Sequence, residues 1–244
     1  MSTKINWSEI AWSQENYKKF QKHLESLGEE KYAAFAMKMI PGATKIHGIR
    51  SPIMDKLAKE ISSGDWRSYI KMKKDDIYEE IALEGVVINY AKDRNYAETL
   101  KLIDYFVPKI NNWAFNDSFA SKDLVKKYRK EFWAELDRFL KNPNPWTQRF
   151  GLIMILSNYV DEDHIDKIFP KLKSFHSEHY YVQMGLAWLI AELYTKFPKE
   201  TFRFLKDADL QLTVMRKAAQ KIRDSRRVSQ ENKDRVTALV KTLK

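Results

Sequence analysis

Trp113 and Asp117 stand four residues apart in the stretch Ile110-Asn111-Asn112-Trp113-Ala114-Phe115-Asn116-Asp117. On a helix that spacing places an indole face and a carboxylate on one surface, one turn from each other. An anion beside an aromatic wall is suited to stabilising a positive charge, through direct attraction and cation–π contact. Each residue also has a plainer reading. Asn116-Asp117-Ser118 is good helix N-cap composition. Trp113 taken alone reads as core, as does Trp188 in the apolar run Met184-Gly185-Leu186-Ala187-Trp188-Leu189-Ile190. Arg149 precedes the apolar run from Phe150 to Leu156, and a guanidinium on such a helix needs a carboxylate or phosphate partner.

Several other chemistries are excluded. The chain has no cysteine, so it carries no thiolate nucleophile, disulfide or cysteine-based zinc site. His176 and His179 are three apart with no third ligand close by and read as solvated surface, so neither metal nor cofactor is expected. The seven glycines are scattered and form no phosphate-cradling loop, and no nucleophile elbow is present. Charge is more informative. Lys plus Arg number 43 against 33 Asp plus Glu, a formal +10, which points to a polyanionic partner. Lysines and arginines cluster at Lys71-Met72-Lys73-Lys74, Lys126 to Lys130, Arg216-Lys217 and Arg223 to Arg227, and His47 lies on a loop with Lys45 and Arg50 where it could contact phosphate. Any one such cluster is commonly a solvated helix face, but recurrence near helix ends would make a phosphate track. Glu29-Glu30, Glu79-Glu80 and Asp161-Glu162-Asp163 are then expected on other surfaces.

The elements that must position these residues are helices. Apolar residues make up 44% and aromatics 13%, so the chain folds, and seven glycines with seven prolines are too few for a turn-rich β architecture. The fold class is all-α. Apolar periodicity predicts about fourteen helices joined by short loops. Ser51-Pro52 and Asn144-Pro145 are cap-plus-proline starts. Asp75 opens a long helix through Tyr90, the helix containing Asp117 continues to Lys127, another runs from Asp163 to Phe175, and the last spans Ser229 to Leu243. Trp146-Thr147-Gln148-Arg149 and Tyr181-Val182-Gln183-Met184 match at an offset of 35, and a similar step lands near Met215 to Ala218. A helix pair recurring at this period is the mark of a HEAT-like helical-repeat solenoid, an alpha-alpha superhelix whose concave, here basic, groove suits an extended partner. One domain is expected over 1–244, with residues 1–15 as a loosely attached N-terminal segment. The N-terminus lacks an apolar signal core and no run approaches membrane-spanning length. The expected location is therefore the cytoplasm, with no membrane partner and a monomeric state.

With these residues assembled, the chain resembles the AlkD-like DNA alkylation repair enzymes, alkylpurine DNA glycosylases built of HEAT-like repeats. The resemblance runs from about Glu30 to Leu243. It is carried by the order and spacing of Gly48-Ile49-Arg50-Ser51-Pro52, Trp113 through Asp117, Trp146-Thr147-Gln148-Arg149, Tyr181 through Trp188 and Ser225-Arg226-Arg227. It implies hydrolysis of the N-glycosidic bond of N3- or N7-alkylated purines in double-stranded DNA, without a cofactor, by a protein associated with the nucleoid through its DNA. Asp117 matches the catalytic Asp, Trp113 and Trp188 match the aromatics flanking the lesion sugar, and Arg149 matches an Arg near the backbone. Lys45, His47, Arg50, Arg216, Lys217, Arg226 and Arg227 complete the expected DNA-binding set. Two positions depart from the pattern: Ala114 stands where an acidic residue follows the first Trp, and Phe35 where the second helix carries Tyr. Recognition is expected through backbone and sugar, since a solenoid groove offers no obvious pocket. The competing reading is a non-catalytic module that holds damaged or branched DNA.

Overall fold

In a computed structural model describing residues 5–43, 45–74 and 76–242, helices and connecting loops account for the described residues, and no strand occurs among them. Residues 1–4, 44, 75, 243 and 244 lie outside that description, among them the expected helix ends at Asp75 and Leu243. The all-α helical-repeat expectation holds. The chain divides into two compact units, Met1–Lys126 and Lys127–Lys244.

The first unit contains α1 (Gln14–Ser26), α2 (Glu30–Met39), α3 (Ser51–Ser62), α4 (Trp66–Lys71), α5 (Tyr78–Tyr90), α6 (Tyr96–Phe106), α7 (Trp113–Phe119) and α8 (Lys122–Val125). Ser13, Asp65, Asn95 and Asn112 start four of these helices, each side chain accepting a backbone N–H of the first turn. At α3 the cap is Arg50 rather than Ser51, and Pro52 falls in the first turn as expected. The helix expected to continue from Asp117 to Lys127 breaks where Ala120 leaves helical geometry at ψ 41°.

The middle of this unit is α5, which packs on α3, α4, α7 and α8. It buries Leu83, Val87 and Ile88 together with three carboxylates, Glu79, Glu80 and Glu84, each exposed by no more than 1%. The Glu79-Glu80 pair is therefore interior, not a surface patch. Buried charges persist only where hydrogen bonds or counter-charges replace water, and each of the three has such partners. Glu80 accepts from Tyr17 Oη at 2.6 Å and from Gln21 at 3.0 Å, which fastens α1. Glu84 pairs with Lys109 at 2.7 Å and lies 3.6 Å from Lys74. Glu79 holds a loop next to the candidate site.

The N-terminal segment is not loosely attached over its described residues. Trp7 and Trp12 are buried, with ring centroids 4.7 Å from Phe20 and 4.9 Å from Tyr69 respectively, and the Trp7 amide donates to Glu60 at 2.6 Å. Burying two indoles outweighs the cost of ordering a short polar stretch. The segment passes the turn between α3 and α4 at Gly64, where a Cβ would lie 2.0 Å from the Ser8 carbonyl oxygen. Because the obstacle is backbone, it cannot swing aside. Gly64→Ala is expected to cost roughly 1–3 kcal/mol, read as a lower Tm together with red-shifted tryptophan emission as Trp7 and Trp12 become wet.

The second unit contains α9 (Arg129–Phe132), α10 (Leu136–Leu140), α11 (Pro145–Asn158), α12 (Ile165–Leu172), α13 (Tyr180–Lys196), α14 (Pro198–Asp207), α15 (Leu212–Asp224) and α16 (Gln230–Lys241). Here the repeat read from the sequence is physical. Helices α11, α13 and α15 pack side by side in one layer, while α10, α14 and α16 pack on α11, α13 and α15 in turn. Helices α11 and α13 are apolar nearly all round because they are covered on more than one face, whereas α15 keeps a charged face with Arg216, Lys217 and Arg223. Helix α12 is shorter than the Asp163 to Phe175 span expected, with Pro170 inside its last turn.

Candidate functional site

Trp113 and Asp117 lie on α7 as their spacing requires, and both line one cavity of about 500 Å³ in the first unit. The cavity lies among α2, α3, α5 and α7, which contradicts the expectation that no pocket exists. Asp117 is not the helix cap. Asn112 has that role, its Oδ1 accepting from the Phe115 amide at 2.9 Å, so Asp117 falls in the body of the helix, facing the cavity. Helix α7 is held on α5 by Asn89 Nδ2, which donates to the Ser118 carbonyl at 2.8 Å, and by a Tyr78–Phe115 stack with centroids 4.8 Å apart. Trp113 is half-buried, and its Nε1 donates to the Met39 carbonyl at the end of α2 at 3.1 Å. That bond fixes the ring instead of leaving it to slide into the core. Ala114 also lines the cavity, so the site has a methyl where the resemblance would place a carboxylate.

The wall is acidic and aromatic. Asp55, Glu79, Asp117 and Asp123 line it with Tyr32, Tyr78, Tyr90 and Trp113, and no lysine or arginine does so among the described residues. Asp55 accepts from Lys59 at 2.6 Å and from the Tyr90 hydroxyl. Its burial works against the charge, but these two donors outweigh it and hold the carboxyl below its ordinary range. Asn89 Oδ1 and Ser121 Oγ, on two residues of the wall, are buried with no hydrogen-bond partner among the described residues.

Glu79 shapes the loop on one side. Its carboxylate accepts the amides of His47 at 2.9 Å, Gly48 at 2.8 Å and Ile49 at 3.2 Å. Gly48 has φ +83°, and a Cβ there would meet the Glu29 carbonyl oxygen at 2.4 Å, so only glycine permits this turn. The loop presents Lys45, which is exposed, and His47, which is half-buried. Arg50 is spoken for: it forms a forked pair with Glu29, at 3.1 Å and 2.8 Å, and stacks 4.2 Å over Tyr32. As a phosphate contact it would first have to give up Glu29. Glu79 and Asn89 are the residues that reading the sequence missed. The signal was three glutamates inside a helix whose other residues are largely apolar.

In the second unit Trp188 is 40% exposed although its neighbours Leu186, Ala187, Leu189 and Ile190 are buried, so it is not a core residue. Arg149 on α11 is 4% exposed, and its Nη1 donates to the Tyr181 carbonyl on α13 at 2.5 Å. One partner of the guanidinium is thus a backbone carbonyl. Gly185 makes room for it, since a Cβ there would meet Nη1 at 3.2 Å. Arg216 and Arg226 are exposed, Lys217 donates to Gln220 at 2.9 Å, and Arg227 pairs with Glu192.

His179, expected on the solvated surface, instead packs edge-on to Trp146 with centroids 5.1 Å apart. Burial, then the nearby Arg149 charge, push its pKa below the ordinary 6.5. A depressed folded pKa means the unfolded chain takes up the proton first, so the stabilisation is complete above pH 6.5 and is lost as pH falls through the lower folded value. Between about pH 7 and pH 5 the Tm of the wild type is expected to fall more than that of His179→Gln, and parallel curves would remove His179 from the acid response.

Among the described residues no helix is long and apolar enough to cross a membrane, and no cluster of His, Asp and Glu is arranged to hold a metal. No curated protein sequence matches the chain. A family model does, over residues 20–222, which takes in all but the outermost parts of both units. The chain belongs to the DNA alkylation repair enzyme family, and its role is in DNA repair.

Proposed function

We propose that the protein is a DNA glycosylase that hydrolyses the N-glycosidic bond of cationic N3- or N7-alkylated purines in duplex DNA. The observation that carries this reading is the cavity of Trp113 and Asp117, lined by four carboxylates and no lysine or arginine among the described residues, in a chain of net charge +10. A site for phosphate would be lined the other way. A site of this kind favours positive charge, and the reaction develops it on the sugar.

Alkylation at N3 or N7 makes the purine cationic, so it leaves as a neutral base when the C1′–N9 electron pair moves onto the ring. No general acid is needed. The oxocarbenium-like sugar left behind is stabilised by the Asp117 carboxylate, a preorganised charge of the kind whose removal costs enzymes roughly 2.7–4 kcal/mol. The Trp113 face adds cation–π attraction of about 0.5–2 kcal/mol. Water then attacks C1′, with Asp117 orienting it and taking its proton. Trp188 and Arg149 are assigned to DNA contact through the resemblance alone, with the 40% exposure of Trp188 supporting its part.

The test is a single-turnover assay on duplex DNA carrying one N7-methylguanine, reading free base and the abasic strand. Release of the methylated base but not of unmodified guanine is expected, because no acid is present to activate a neutral leaving group. Tight binding without release would favour the non-catalytic module.

A further inference from the structure

The first unit has a second cavity of opposite character. Lys71, Lys73, Lys74, Lys101 and Lys109 line a space of about 840 Å³ where the end of α4 meets α5 and α6. Three acids share that wall, Asp76, Glu84 and Glu98, and two are already neutralised. Glu84 is fully buried and holds both Lys109 and Lys74. Glu98 takes a forked pair from Arg67, at 2.7 Å and 2.8 Å. Lys71, Lys73 and Lys101 are exposed, and no carboxylate lies within ion-pair distance of them among the described residues. Burying Glu84 spends two lysines on one carboxylate and leaves the other three facing solvent at a concave surface.

A smaller cavity lies between the two. Asp76, Ile81 and Asn111 border both the lysine cavity and this smaller one of about 250 Å³, whose wall includes Lys45 and Tyr78, and Tyr78 also lines the cavity of Asp117. A polyanion approaching this unit is repelled by the carboxylates around Asp117 and attracted by the lysines, so two faces of α5 sort charge, Glu79, Ala82, Val86 and Asn89 lining the acidic side and Ile81 and Glu84 the basic one.

We propose that the lysine cavity is a docking site for the phosphodiester backbone of duplex DNA, with Lys71, Lys73 and Lys101 as its phosphate contacts. It rests on DNA being the partner and is independent of the cleavage chemistry. The site anchors duplex without reading sequence, since ammonium groups on phosphates carry no base information.

The experiment measures affinity of the full-length protein for an undamaged duplex over a range of salt concentrations. Each phosphate neutralised contributes about 0.9 to the slope of log affinity against log salt. The triple variant Lys71→Gln/Lys73→Gln/Lys101→Gln is expected to lower the slope by about 2–3 and low-salt affinity by about tenfold or more. Lys18→Gln/Lys22→Gln/Lys31→Gln removes the same charge from exposed positions on α1 and α2 and is expected to keep the wild-type slope within about 0.5. An unchanged slope in the first variant, or equal losses in both, overturns the proposal. No bond is broken in this measurement, so a failure here leaves base release untouched, and an absence of base release leaves the slopes untouched.

Discussion

Asp117→Asn is expected to reduce single-turnover release of N7-methylguanine by at least about 100-fold while leaving duplex affinity within about threefold. The substitution keeps shape and removes only the formal charge. Asn112 already caps α7 and Asp117 sits in the helix body, so the fold does not depend on a cap at this position; a Tm within about 2 °C of wild type would confirm that. Ala114 makes the expectation stringent, because the position after Trp113 provides no second carboxylate to substitute for the lost one. Release at the wild-type rate with the fold intact would remove Asp117 from the mechanism and leave the cavity without a chemical role.

The second large effect is on stability. Glu79→Ala strips the acceptor from three backbone amides, those of His47, Gly48 and Ile49, two of them in buried bonds. An orphaned buried donor costs about 1–3 kcal/mol, so the loss should reach about 3–5 kcal/mol and lower Tm by roughly 10 °C. Glu79→Gln retains one oxygen and should recover part of it. Were Glu79 merely an exposed acid, alanine would be neutral within about 0.5 kcal/mol. A measured loss below about 1 kcal/mol would therefore show that the loop does not depend on this carboxylate. The loop carries Lys45 and His47, so duplex affinity should weaken in the alanine variant as well.

What could be read from the sequence was what local geometry decides. The i, i+4 relation of Trp113 and Asp117 follows from helical pitch alone, and the repeat that sets α11 beside α13 is visible as an aromatic, β-branched, Gln, long-side-chain match at an offset of 35. Asn116-Asp117-Ser118 has cap composition, yet the cap of α7 is Asn112, because where the helix starts depends on how the chain turns after Pro108 and not on composition. Glu79 and Glu80 read as surface because their partners are distant: Glu80 bonds Tyr17 across 63 residues and Glu79 bonds Gly48 across 31. Trp188 read as core because apolar neighbours surround it in sequence, yet a helix buried on most of its circumference still has a narrow open side. The N-terminal segment read as loosely attached because its indoles find Phe20 and Tyr69 only once α1 and α4 are in place.

The three buried glutamates of α5 each reach a different part of the first unit: Glu80 reaches α1, Glu79 the loop before α3, and Glu84 the segments on either side of α5 and α6. A helix docked by apolar contact alone can slide or fray by degrees, since each lost contact is small. A carboxylate cannot be half uncovered so cheaply, for the first water to enter replaces only part of what the protein supplied. Opening α1, the loop or the end of α6 strands a charge in the interior, so these parts open together or not at all. The first unit is thus made cooperative by charge, and the wall behind Asp117 inherits a stiffness that its own short helix, only seven residues long, could not provide.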